Sequence, residues 1–536
     1  MSLSLIRHAF LIVFTLMAAK GLMAAETLHE QIDRIIEAKV EGEPKAPPAT
    51  DAAFLRRIYL DFSGRIPSTA EARVFLDDSS TDKRARLIDR LLQSPEYPRR
   101  MARLFHSVLM EQRGDNKDWQ QYLHDSFAKN KSWDQMTREI LKPNVQDKTT
   151  RATVFFYQKR LQKTGANPID YPTLTNDVAR LFLGKNLKCA QCHNHRFIDD
   201  YKQADFQGLY AAFLNVSVKK DPKTKYPAVF EKPMKTKLEY ISVFGSTART
   251  TGPKFPGGRE FAIPKAQKDK GANKAKVSFS PLALFAEEMP RANNKLFTAN
   301  IANRLWFLMM GRGLVHPLDF HHSGNPPSHP KLLTLLADAF AEHHFDIKWM
   351  LRELALTRSY ARSSVQPNAS KTSPPDRFLV TLERRLSAEQ LLWSTLQATG
   401  EIDRVKKIGE EADSHPSGPT FKELRKEFVA AFSNEAKEPE NEFNASVKGA
   451  LFLLNSDHYL QLLQPRPGNL IYRLSKITDS SKLADELFLS VLTRRPTRRE
   501  ISEVSEYLAQ NGKRRTEAIG LLAWAMLTSM EFYVNH

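Results

Sequence analysis

The stretch TLTNDVARLFLGKNLKCAQCHNHRF, residues 173–197, decides how the rest of the chain is read. From Thr173 to Lys188 it places Leu174, Val178, Leu181 and Phe182 on one helical face. It then runs directly into Cys189-Ala-Gln-Cys192-His193, followed by His195. The same helical spacing recurs upstream. Residues 27–45 read as a helix entering a proline-rich linker, Pro44 to Pro48. Phe54, Leu55, Ile58 and Tyr59 share a face, with Arg56 and Arg57 on the other. Ser68-x-x-Glu71 is a capping box for a helix ending near Leu76. Arg84 to Leu92 is amphipathic and stops at Ser94-Pro95, and residues 100–145 also read as helical.

Downstream, residues 205–214 give one more short helix. Residues 215–278 change character. Lysine, proline, glycine and threonine dominate, and apolar residues come in short bursts such as Tyr240 to Phe244, which predicts short strands and loops. The helical pattern returns at Ser280-Pro281. Asn300 to Met310 is apolar on one side, and helices start at His329-Pro330 and Lys348. Ser387-x-x-Gln390 and Thr497-x-x-Glu500 cap two more, while residues 401–445 are polar and yield no element. The expected fold is mainly α, with two helical domains, 27–214 and 280–536, separated by a small β-rich insert at 215–278.

Composition narrows the function classes. The chain has 536 residues, 41% hydrophobic and 26% charged, which excludes wholesale disorder. Two cysteines exclude a disulfide-stapled scaffold. Seventy-nine basic against 61 acidic residues give +18, a field that favours acidic partners. In the first 25 residues Arg7 and His8 precede an apolar run from Ala9 to Ala19, and small residues follow at Ala24 and Ala25. That order is a secretory signal peptide, residues 1–25, with an uncleaved anchor as the alternative. Export to the periplasm or cell surface turns the basic charge toward anionic polysaccharide or a partner protein rather than nucleic acid. No transmembrane domain is expected after cleavage.

The cysteine motif carries the sharpest chemistry. CxxCH is the attachment sequence for c-type haem. Two thiols one helical turn apart can each add to a porphyrin vinyl group, and the adjacent histidine then sits beneath the iron. Such attachment takes place outside the cytoplasm, so the signal peptide and the motif agree. On this reading Cys189 and Cys192 hold the porphyrin and His193 ligates the iron. Met234, Met289, Met309, Met310, His316, His321 and His322 are candidate sixth ligands. Three other readings stay open. The thiols form a disulfide or redox pair; Cys189, Cys192, His193 and His195 hold zinc, with His321 or His322 replacing one of them; or the thiols are inert.

The run Phe54 to Pro67, the run Lys83 to Leu92, and Leu183-Gly through His193 with His195 and Phe197 resemble the DUF1549 family of unknown function, also called PSCyt2. Asn303-Arg-Leu-Trp306, Gly311 to Val315, Asn325 to Pro330, Arg358-Ser-Tyr360 and the final Glu531 to His536 resemble its companion, DUF1553 or PSD1. The resemblance implies a large exported protein of planctomycetes and related bacteria, often encoded near a DUF1501 protein, which with a cytochrome is a possible redox partner. It supplies no activity. Where the family has Pro after the second histidine and Asp after the phenylalanine, this chain has Arg196 and Ile198, with Asp199 and Asp200 following.

A second cluster surrounds the Asn325 to Pro330 loop: Asp319, His321, His322 and His329. It suits a metal or acid–base site, and a hydrolase built there is a third functional option. The plainer reading is a proline-fixed turn, with His329 helping to cap the next helix. Asn303, Arg304 and Trp306 read as an Arg–carboxylate pair beside a buried Trp, and Asp61 with Arg65 as a structural ion pair. The leading expectation is an exported haem c protein in electron transfer or redox chemistry. The alternative is a non-haem binding or scaffold protein for anionic polysaccharide or a partner, its Cys/His cluster a disulfide or metal staple.

Overall fold

The computed structural model describes residues 26–162, 169–264, 279–368, 372–404, 420–434 and 447–536. The expected signal peptide lies outside them. The chain is mainly α. The three capping boxes read from sequence all form, at Ser68/Glu71, Ser387/Gln390 and Thr497/Glu500. Each satisfies backbone N–H groups at a helix start, which fixes where that helix begins.

The stretch that opened the reading is shorter than expected. The helix runs Tyr171–Leu183, and Gly184 closes it in the left-handed region at φ +67. A Cβ there would meet the His321 ring at 2.6 Å, so only glycine allows this close approach. The cysteines follow on a separate short turn, Cys189–Gln191.

Among its described residues the insert carries two antiparallel pairs, Val216–Lys220 with Pro227–Glu231 and Leu238–Tyr240 with Arg249–Thr251. The apolar burst predicted as a strand enters one only as far as Tyr240. Ile241, Val243 and Phe244 lie exposed beyond it. In the polar 401–445 region sequence reading missed a helix, Phe421–Phe432, which buries Phe421, Leu424 and Phe428 and is capped by a Thr420/Glu423 box.

Two apolar cores form. The first runs from Leu28 to Phe378, with Leu489, and draws on helices from both sides of the insert, so Leu174 and Val178 share it with Ile301 and Leu305. The second is built from Leu386 to Phe532, with Leu60 and Ile66 contributed from the start of the chain. The helix Asp51–Phe62 therefore serves both cores and is buried all round from Phe54 onward. This corrects the expectation that Arg56 and Arg57 occupy a separate face: no face is left open. Arg56 donates to the carbonyls of Phe532 (2.7 Å) and Glu531 (3.3 Å). Arg57 donates to those of Tyr360, Arg362 and His536. Buried without a paired carboxylate, both guanidiniums are pushed down to about 10. Val534–Asn535 pairs with Arg384–Arg385, and the Arg56 and Arg57 bonds hold residues 531–536 against the helix Asp51–Phe62.

Candidate functional site

The segment after Gly184 positions the cysteines through backbone bonds. Asn186 N–H donates to Asp319 O (2.8 Å), and Val243 N–H donates to Cys192 O (3.0 Å). Gln207 Nε2 holds Gln191 O at 2.9 Å, and Gln203 Nε2 bonds Ile241 O at 3.2 Å. Cys189 and Cys192 are both free thiols and both exposed. The apolar neighbours are exposed as well: Phe197 is 88% exposed, Phe244 76% and Val243 64%. Phe244 packs on the His193 ring at 4.9 Å.

The two histidines of the motif differ in what they offer. His193 Nδ1 sits 2.6 Å from Asn194 O, a carbonyl that can only accept, so Nδ1 carries the proton and Nε2 presents a lone pair. His195 is reversed. Its Nδ1 accepts from the N–H groups of Phe197 (3.2 Å) and Ile198 (3.0 Å), which puts the proton on Nε2. A neutral His195 therefore offers no lone pair to a metal. Among the described residues no group of three or more His, Cys, Asp or Glu is placed to hold a metal ion. The Cys189, Cys192, His193, His195 set does not fit zinc. The donors a covalently attached haem needs, two accessible thiols and one Nε2 lone pair, are present together.

The second cluster lies beside the first. His321 N–H donates to Gly184 O (3.0 Å), and Lys185 Nζ donates to His321 O (2.9 Å). Asp200 accepts from Ser323 N–H and Oγ, both at 2.6 Å, and these bonds first hold its carboxyl below the usual range. Tyr201 stands between His195 and His322, with ring centroids 6.0 and 5.5 Å away. The two loops do meet, as the candidate ligand roles of His321 and His322 require, but through Tyr201 and the Asp200–Ser323 bonds.

Asp319 belongs to a buried ion network instead of an acid–base site. Arg180 Nη1 reaches one of its oxygens at 3.0 Å, and Arg304 takes the other. Arg180 Nη2 also meets Glu111 (2.5 Å) and Asp177 (3.2 Å). Arg113 and Arg160 reach Asp177 at 2.9 and 2.8 Å. Burial alone would raise Asp177, but the Arg160, Arg113 and Arg180 charges outweigh it and hold the carboxyl below its ordinary value. Burial pushes His321 down to about 4, helped by Arg304, and its Nε2 faces Asn303 Nδ2 at 3.4 Å. His321 is thus a neutral structural group.

The remaining expectations divide. Arg304 does pair with a carboxylate beside the buried Trp306. Asp61 and Arg65 each form ion pairs, but not with one another. Asp61 takes Arg384 at 2.8 Å, and Arg65 takes Glu71 at 2.8 Å, because opposite sides of the Phe62–Ile66 turn face different partners. His329 makes no cap bond. Its ring turns to Ser328 Oγ (3.1 Å) and Phe378. Met289, Met309 and Met310 fill the first core, and Met234 is 5% exposed.

Residues 31–218 match the family model of PSCyt2, a protein of unknown function (DUF1549), and residues 283–508 match that of PSD1, a protein of unknown function (DUF1553). No curated protein and no solved structure matches the chain.

Proposed function

We propose, for a chain that joins a DUF1549 region to a DUF1553 region, that the Cys189–His193 segment is an attachment site for haem c and that the protein serves extracytoplasmic electron transfer or redox chemistry. The observation that carries the reading is the pairing of two exposed free thiols with an imidazole whose Nδ1 is committed to Asn194 O. A bound haem would supply a one-electron couple. Cys189 and Cys192 would form the thioether links. His193 would direct Nε2 to the iron, its basicity raised by the Nδ1 hydrogen bond. Phe197, Val243 and Phe244 would lose their exposure against the porphyrin face, an arrangement that lowers local polarity. His195 would brace the loop through the Phe197 and Ile198 N–H groups rather than bind metal.

The exposed apolar rim also supports a second reading. It suits a partner protein, with the thiols joined as a disulfide. One experiment separates the two. Protein exported from a host with c-type haem maturation is denatured, run on a gel and tested for haem peroxidase activity beside a Cys189→Ser, Cys192→Ser variant. A haem-positive band lost in the variant is expected. A clean negative at good yield would sink the haem reading, and thiol titration of the same sample would then detect the disulfide.

A further inference from the structure

A cavity of about 790 Å³ opens between the two cores, and none of the Cys189–Phe197 residues lines it. That volume falls within the range of small-molecule sites, about 300–1,000 Å³. One wall is the helix Glu96–Met110, which presents Arg100, Arg103, Leu104, Ser107 and Val108 at successive turns of one face. Another is the helix Lys295–Met310, which presents Ile301, Leu305 and Leu308 in the same spacing. The lining combines these apolar side chains with arginines and with the carboxylates of Asp61, Asp115, Glu383 and Glu389.

Several of these arginines are already satisfied. Arg425 pairs with Asp115 (2.8 Å) and Glu389 (2.5 Å), and Arg384 pairs with Asp61. Two are not. Arg100 makes one long bond, Nε to Asp61 O at 3.4 Å, and has no carboxylate partner among the described residues. Arg103 forms only a long ion pair with Asp115, at 3.7 Å, and its buried Nη1 has no hydrogen-bond acceptor among the described residues. His106 adds a third donor. Its Nδ1 accepts from Trp119 Nε1 at 3.1 Å, so the proton sits on Nε2. Arg100 and Arg103, one helical turn apart and beside apolar side chains, thus keep donor capacity directed at the cavity, whose lining also holds Glu389 Oε2 and Asn535 Oδ1 as buried acceptors without a partner among the described residues.

We propose that this cavity binds an amphipathic monoanion, an apolar body bearing one carboxylate, with the carboxylate held between Arg100 and Arg103. The nearby Asp61, Asp115 and Glu389 set the single charge, since they would repel a doubly charged phosphate. Desolvation already pushes Arg100 down to about 10, a cost that an entering carboxylate relieves.

The test is calorimetric titration of the full chain with decanoate, decanol and decyltrimethylammonium, all below micellar concentration. Decanoate is expected to bind once per chain, decanol at least tenfold more weakly and the cation not at all. Arg100→Gln and Arg103→Gln should each weaken decanoate at least tenfold while leaving decanol unchanged. Val108→Trp, which fills the apolar part, should remove both. Should Arg100→Gln fail to fold, Arg100→Lys keeps the charge without the fork and should weaken decanoate by a smaller factor. Absence of decanoate binding, equal affinity for decanol, or indifference to the arginine variants would overturn the proposal.

Discussion

The helix Tyr171–Leu183 carries Asp177 and Arg180 into a buried lattice of ions, and the turn that follows carries Cys189 and Cys192 out to solvent. In the lattice every carboxylate is spoken for. Glu111, Asp177 and Asp319 are all met by guanidiniums, and the polar chemistry is spent on holding helices in register. On the turn the thiols are free, His193 keeps one nitrogen available, and aromatic side chains face water. Titratable clusters mark function only when some of their valence is left over. By that measure Asp319 and His321, which looked reactive in sequence, are struts, while His322 Nδ1 and His329 Nε2 stay without a hydrogen-bond partner among the described residues, and the cysteine turn is the exposed surface with unspent chemistry.

The sharpest way to break this contrast is Asp177→Asn. Three arginines would lose a buried counter-charge, and the unfolding free energy by urea should fall by about 3–5 kcal/mol. A loss near zero would mean that the lattice is solvated and the comparison is wrong. Acid should act in the same region. The neutral buried histidines His106 and His321, both pushed down to about 4 by burial, bind protons more readily once unfolded. Stability should therefore drop as pH falls from about 6.5 to about 4. His321→Asn should flatten that slope in a series of urea midpoints. Glu71 gives a lower window. Burial would raise it, but the Arg65 pair prevails and takes it to about 2, so its stabilisation is lost as pH falls from about 4.3 toward 2. Glu71→Gln should abolish that component, and Ser68→Ala should cost about 0.5–2 kcal/mol through the lost cap. At the small end, Cys189→Ser with Cys192→Ser should shift stability by no more than about 0.5 kcal/mol, because nothing in the fold leans on the thiols. A larger loss would make the turn structural after all.

Local features were legible in the sequence and distant ones were not. The capping boxes and the change to short strands in the insert depend on residues a few positions apart, and they form as read, whereas the helix from Thr173 stops at Leu183 and Arg56 and Arg57 keep no open face. The helix Phe421–Phe432 was missed although Thr420 and Glu423 offered the same signal, because polar residues surround its apolar positions. The partners of Asp61 and Arg180 were beyond reach. Arg384 lies 323 positions from Asp61, and Asp319 lies 139 from Arg180. Ion pairing has no period that a sequence can display. The cysteine motif was legible because its thiols and imidazoles lie within seven residues of one another, whereas the cavity needs faces from two helices that only folding brings together.

The contacts of Arg56 and Arg57 with the far end of the chain bear on the order of events during synthesis. Arg56 bonds carbonyls up to 476 positions away. At about 5–20 residues per second, roughly 25–95 s separate the emergence of that arginine from that of its acceptors. For that interval the helix at the centre of both cores holds Arg56 without its Phe532 acceptor, while Arg57 meets the Tyr360 and Arg362 carbonyls earlier. The packing of this helix is therefore completed only after the last helices have been made.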